Sequence, residues 1–133
     1  MAVRVFTSKL LRGKFGNVAA NALREEFLAY KMTGVVPQKY GRDAPYRDPE
    51  SANAVKLRHM HLEDVTHVAH RKWVLNTVQF DRVSDTCLVY CRGEKSNDNY
   101  LLITVLTNAH VRARKVTFMM ELAELAEGFQ RIY

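Results

Sequence analysis

Two stretches, VKLRHMHL from Val55 to Leu62 and QFDRVSDTCLVYCRG from Gln79 to Gly93, decide the fold. Both read as strands, and as neighbours. Side chains alternate across a strand, so Met60 and Leu62 point into a core while His59 and His61 stand together on the opposite face. In the second stretch Tyr90 and Arg92 alternate with Val89 and Cys91, which predicts a polar working surface backed by an apolar layer.

Outward from these strands the pattern is mixed. Val3 to Leu11 begins with Val3 and Val5 alternating against Arg4 and Phe6, and predicts a first strand that Gly13 and Gly16 break. Asn17 is placed to cap a helix carrying Ala20, Leu23, Phe27 and Tyr30 at helical spacing, with Gly34 as its stop. From Val36 to Ser51 the chain holds all three prolines and the charges Arg42, Asp43, Arg47 and Asp48, and reads as a loop suited to function or, equally, to a capping turn. Glu63 to Val78 fits neither period and reads as an insertion with one helical turn, in which Trp73 serves as a packing anchor rather than a base-stacking ring. Tyr100 to Thr107 is an apolar strand joined by GEKSNDN to the preceding one as an antiparallel hairpin. The last segment carries Phe118, Leu122, Leu125, Phe129 and Ile132 as a helical stripe, with Glu121, Glu124 and Glu127 facing outward. The expected fold is α+β, in the order β-α-β-β-β-α, an antiparallel sheet with helices packed against it.

Composition bounds the function. The chain has 133 residues, 47% of them hydrophobic, with no linker or low-complexity tract, so residues 1–133 are expected to form a single domain. A formal charge of +6 favours a polyanionic partner, although scattered lysines and arginines also serve solubility alone. No apolar run approaches the roughly 20 residues that span a bilayer, and no signal-peptide segment stands at the start, which predicts a cytoplasmic protein without membrane association. Cys87 and Cys91, about 13 Å apart along a strand, are too distant for a disulfide and read as buried thiols.

Cleaving RNA without a metal requires a base for the 2′-hydroxyl proton, an acid for the leaving 5′-oxygen, and cations for the phosphate. Histidine, with a reference pKa of about 6.5, serves either proton-transfer role. His59 and His61 therefore suit proton transfer, Arg42, Arg82 and Arg114 suit the phosphate, and Asp43 or Asp85 can orient an imidazole. Paired histidines on a strand also bind metals, as in a hydrolase that combines His59 and His61 with a carboxylate, or simply hydrogen-bond to neighbours.

YGRDAPY (40–46), HMHL (59–62), QFDRVSD (79–85), LVYCRG (88–93), LLITVL (101–106) and HVRAR (110–114), in that order and followed by AEGF (126–129), resemble the YafO family of bacterial type II toxins. The resemblance runs from Val3 to Tyr133, and the stretch from Glu63 to Val78 departs from the expected pattern. It implies a ribosome-dependent mRNA interferase, an endoribonuclease with mRNA, the ribosome and a cognate antitoxin as partners and a toxin–antitoxin hetero-oligomer as its silenced form. It also implies a RelE-like fold and a chemistry without cofactor or metal. Residues within the matching motifs then divide into His59, His61, Asp43, Arg82, Asp85 and Tyr90 as catalytic candidates and Arg42, Arg92, His110 and Arg114 as RNA-binding candidates. The rival reading is a module that binds RNA or the ribosome and blocks translation without cutting.

Overall fold

The computed structural model describes residues 2–68 and 70–133. Its centre is the apolar hairpin of β4 (Thr86–Arg92) and β5 (Asn99–Thr107), antiparallel in a register that pairs Cys91 with Leu101 and Thr86 with Thr107. The strand β3 (Arg58–Leu62) lies antiparallel on β4, with His59 opposite Val89, Met60 opposite Leu88 and His61 opposite Cys87. These three strands are sequential neighbours, as their spacing predicts.

The strand expected from Gln79 begins only at Thr86, after a 3-10 turn at Gln79–Asp81, and three further features of the sheet depart from the sequence reading. First, Tyr40–Pro45, expected as loop, forms the edge strand β2, antiparallel to β3. Prolines are tolerated there because an edge strand leaves backbone positions that need no N–H, and Pro45 is the last residue of the strand. Second, β1 (Arg4–Thr7) stops short of Leu11, because the Ser8 side chain accepts from the Leu11 backbone N–H at 3.0 Å and starts the helix α1 (Lys9–Phe15). Third, β1 lies parallel to β5, so the order β1-β5-β4-β3-β2 makes a mixed sheet rather than an antiparallel one. Pairing of the first strand with the last is a non-local contact that periodicity cannot reveal. The fold class is nonetheless α+β, with more helices than expected.

Gly16, at φ +87°, separates α1 from α2 (Asn17–Thr33) and takes the cap position expected for Asn17. Gly34 ends α2 as anticipated, left-handed at φ +73° with its N–H on the Tyr30 carbonyl. Helices α1 and α2 cover one face of the sheet over a core that includes Phe27, Tyr40, Met60, Leu88, Tyr90 and Leu102. The opposite face is covered by the short helix α3 (Glu50–Ala54) and by α6 (Val116–Ile132), which closes on Leu57, Val89, Ile103 and Leu106.

The buried side of α6 is rotated from the expected stripe. Met119, Leu122, Ala123, Ala126, Phe129 and Gln130 face inward, while Leu125 and Ile132 are 40% and 68% exposed. Two alanines at the contact let the helix approach the sheet, and the Gln130 amide donates to the Val55 and Arg92 carbonyls at 2.8 and 2.9 Å. Among the described residues no helix is long and apolar enough to cross a membrane.

The insertion from Glu63 to Val78 carries the helix α4 (His70–Leu75), and its Trp73 is buried, with the indole N–H donating to the Gln38 carbonyl at 3.0 Å. Its ring lies against Gly41 of β2, where an added Cβ would sit 2.5 Å from the indole and closer still to the Arg82 carbonyl oxygen. Gly41→Ala should therefore destabilise the protein by about 1–3 kcal/mol through overpacking, and Met60→Ala by about 2–5 kcal/mol through the cavity it leaves. Urea unfolding measures both, and a Gly41→Ala protein as stable as its parent would mean that the Trp73 anchor is not seated on β2.

Candidate active site

Alternation along β3 sends Arg58 and Met60 toward α2, and His59 and His61 toward the side that α6 only partly covers. The histidines thus share one face opposite Met60, as the sequence predicts, but that face is a half-closed groove rather than an open surface. His61 is only 5% exposed. A third imidazole joins them: ring centroids are 5.7 Å apart for His59 and His61, and 6.3 Å apart for His61 and His110. The row lines a groove of about 410 Å³ whose walls include Tyr46, Arg47 and Arg114.

Each ring is held differently. His110 stands at the start of α5 (Ala109–Ala113), where the Asp85 carboxylate accepts from its backbone N–H at 3.0 Å and from its ring Nδ1 at 2.7 Å. The backbone hydrogen bond and then the ring contact hold the Asp85 carboxyl below its ordinary range. With Nδ1 committed, Nε2 of His110 is the nitrogen open to a ligand, on a side chain that is 71% exposed. His61 presents Nδ1 to the backbone of Ser84, 2.8 Å from its carbonyl oxygen and 2.9 Å from its nitrogen. One nitrogen cannot donate and accept at once, so either tautomer is held in the same place. Burial lowers the His61 pKa, partly offset by the Ser84 backbone bond.

His59 stacks on Tyr46 at 4.1 Å between centroids, and its Nδ1 is buried without a hydrogen-bond partner. Burial first, and the neighbouring His61 second, push its pKa down to about 4, so it is neutral at pH 7. Cys87, beside the row, is pushed up to about 12 by burial and stays a thiol. Among the described residues no three His, Cys, Asp or Glu side chains converge as metal ligands.

The remaining predicted residues lie elsewhere. Asp43 and Tyr90 are on the α2 side of the sheet: the Tyr90 hydroxyl donates to Asp43 at 2.6 Å and Arg58 Nε donates to the same carboxylate at 3.1 Å. Tyr90 is 1% exposed, its phenol pushed well above the ordinary value by burial, so the expected polar surface on β4 is largely core. Arg92 borders a pocket on that same side. Arg82 is 4% exposed, its Nη1 on the Gln38 carbonyl and side-chain oxygens at 3.2 and 3.3 Å, its guanidinium over the Trp73 ring. Arg42 is close enough for its charge to lower the His61 pKa, but it lies 4.1 Å over the Phe80 ring and donates to the Phe80 carbonyl. The structure therefore gathers His59, His61, His110, Asp85 and Arg114, and separates Asp43, Tyr90, Arg92 and Arg82 from them. Tyr46 and Arg47 line the groove without having been given a role, although Arg47 was among the charges of the 36–51 stretch, and the Ser84 backbone holds His61. Tyr46 and Arg47 follow the charged stretch around Arg42 and Asp43, a signal to which no contact could be attached without β2.

A depressed His59 pKa has a measurable consequence. The unfolded chain, with histidine near 6.5, takes up this proton before the native state does. Stability from His59 is therefore complete above about pH 6.5 and declines as pH falls toward about 4. His59→Phe keeps a ring on Tyr46 and removes the titration. Its melting temperature should fall less than the parent's between about pH 7 and about pH 4.5; equal losses would show that His59 is not the buried neutral group described here.

Comparison with known proteins places the chain in a family. The sequence is 33% identical over 133 residues to the mRNA interferase toxin YafO of Escherichia coli (strain K12), covering 96% of this chain and 98% of the relative. No solved structure gives a significant match. The model of the family described as Toxin YafO, type II toxin-antitoxin system, matches residues 28–131, a range that includes every histidine of the row and runs through the 63–78 insertion, and the chain belongs to that family.

Proposed function

We propose that the histidine groove cleaves messenger RNA, and that the protein acts as the growth-arresting toxin of its pair, on messages held by the ribosome, until a cognate antitoxin covers it. Family membership supplies the antitoxin partner, and the relative's name supplies the mRNA interferase activity. One observation carries the assignment of the site: the His61 and His110 rings lie with centroids 6.3 Å apart beside a groove whose charged lining is Arg47, Arg114 and Asp48.

In-line cleavage sets its attacking and leaving oxygens on opposite sides of phosphorus, so a base and an acid must straddle the phosphate, each within about 2.6–3.2 Å of its oxygen. Burial keeps His61 neutral near pH 7, which suits the base. It takes the proton of the 2′-hydroxyl, the 2′-oxygen bonds to phosphorus, and the bond to the 5′-oxygen breaks. His110 gives its proton to that oxygen, leaving a 2′,3′-cyclic phosphate and a 5′-hydroxyl. Asp85, held ionised, faces the ring that must carry this proton. Arg47 and Arg114 meet the charge on the phosphate, and His59 braces the row as a neutral ring. This chemistry uses no metal and no cofactor. A cytoplasmic setting and a toxin–antitoxin hetero-oligomer follow from the same reading.

His61→Ala and His110→Ala should each lower cleavage by about 10²–10⁴-fold at unchanged ribosome affinity. Arg114→Ala should weaken binding as well. Primer extension on a translated message, with and without ribosomes, reads the cleavage while growth after induction reads the toxicity. If both histidine variants cut at the parental rate, the groove is not the active site. If growth stops while messages stay full length, the protein blocks translation by binding alone.

A further inference from the structure

We infer that the pocket bounded by Lys31 of α2, Asn53 of α3, Arg92 of β4 and Gln130 of α6 is a second single-stranded RNA site, which takes a phosphate among Lys56, Arg58 and Arg92 and a base against Tyr100. The inference rests on the reading that this protein acts on RNA, but not on the histidine chemistry.

The pocket encloses about 640 Å³, larger than the histidine groove and large enough for a nucleotide-sized ligand. Four cations border it, Lys31, Lys56, Arg58 and Arg92, against two carboxylates, Asp43 and Glu94. Asp43 is already engaged on both oxygens, by Arg58 at 3.1 Å and by the Tyr90 hydroxyl at 2.6 Å. Lys31, Lys56 and Arg92 form no ion pair among the described residues. Unpaired cations around one cavity leave a positive potential that an anion would satisfy.

Lys31 sharpens the point. Its ammonium lies 4.9 to 5.8 Å from the ring centroids of Tyr30, Tyr100, Phe27 and Tyr90, a setting that holds the cation by the ring faces but desolvates it. Burial lowers its pKa accordingly. Lys56 adds a backbone observation: it stands at φ +54°, a left-handed conformation that glycine or asparagine adopts more easily, and so the chain carries a lysine there at some conformational cost.

Two features favour a nucleic-acid strand over an acidic peptide. Carboxylates need only cations, whereas this pocket also offers the partly buried Tyr100 ring and the neutral amides of Asn53 and Asn97, which suit a stacked base and its edge. Pro45, at the end of β2, borders both this pocket and the histidine groove. A strand leaving the groove around that sheet edge therefore enters the second pocket directly.

The test uses a 2′-O-methyl RNA of about 12 nucleotides, within the length that such sites cover, with affinity measured by fluorescence anisotropy across a salt series. Lacking the attacking hydroxyl, this RNA is blind to cleavage, so failure here leaves the histidine reading standing and the reverse also holds. The Lys56→Gln/Arg92→Gln double variant should bind several-fold more weakly, its salt slope shallower by about 0.7 for each phosphate contact removed. Both side chains are exposed, so the melting temperature should hold; should it fall, Lys56→Glu alone must still weaken binding. Neutralising Lys9 and Lys72, exposed lysines outside both pockets, should change the slope less. Parental affinity and slope in the double variant, an equal loss in the Lys9/Lys72 control, or parental RNA binding with loss of polyglutamate binding would each overturn the inference, the last by showing an acidic-peptide site.

Discussion

Alternation along β3 is the constraint on which the rest of this structure depends. Five residues, Arg58 to Leu62, must serve two faces of one sheet, and the β4 register decides what each face meets. Met60, paired with Leu88, is sealed under α2, where truncation would leave a cavity. His59 and His61, paired with Val89 and Cys87, emerge where α6 no longer covers the sheet. Because side-chain period in a strand is 2, no small shift could improve one face without ruining the other.

The histidine row is fixed by the segment that follows β3. Adjacent residues hold two different rings: the Ser84 backbone holds His61, and the Asp85 carboxylate holds His110. Their position depends on where the 63–83 segment is pinned, and that is set at β2. Trp73 donates to the Gln38 carbonyl, Arg82 reaches the same residue, the Arg42 N–H donates to the Arg82 carbonyl at 2.8 Å, and Gly41 leaves the room these contacts need. Arg82 thus connects the anchor to the site from the interior. Its Nε, buried without a partner, is a cost that the packing of Trp73 and β2 must offset.

Much of this was legible in the residues. Apolar runs gave β4 and β5, the His-Met-His alternation gave the two faces of β3, Gly34 marked a helix end, and a lone tryptophan in an aperiodic segment marked an anchor. Register between strands was not legible. Alternation within β4 correctly opposed Tyr90 to Val89, but only the pairing of His59 with Val89 shows that Tyr90 belongs to the other face. Nor was β2, since prolines at 37, 45 and 49 mask a strand that an edge position permits. Without β2, Asp43 looked like a partner for the histidines; with it, Asp43 sits opposite Met60 and meets Arg58 and Tyr90. The α6 stripe failed for a related reason, because the choice between two overlapping apolar faces was made by the small residues Ala123 and Ala126 at the contact.

Three imidazoles in a row would repel one another if all were charged. Two unit charges about 6 Å apart at an effective dielectric of about 20 cost about 3 kcal/mol, enough to shift an equilibrium by about a hundredfold. Burial against Tyr46 removes His59 from that competition, and burial beside Ser84 lowers the affinity of His61 for a proton. Only His110 is both exposed and paired with a carboxylate. Burial along the row therefore disfavours charge on the two inner rings, while the solvent-facing ring is the one that the Asp85 carboxylate contacts. The row spans β3 and the start of α5, and it borders an open groove because α6 covers the neighbouring core and not these rings.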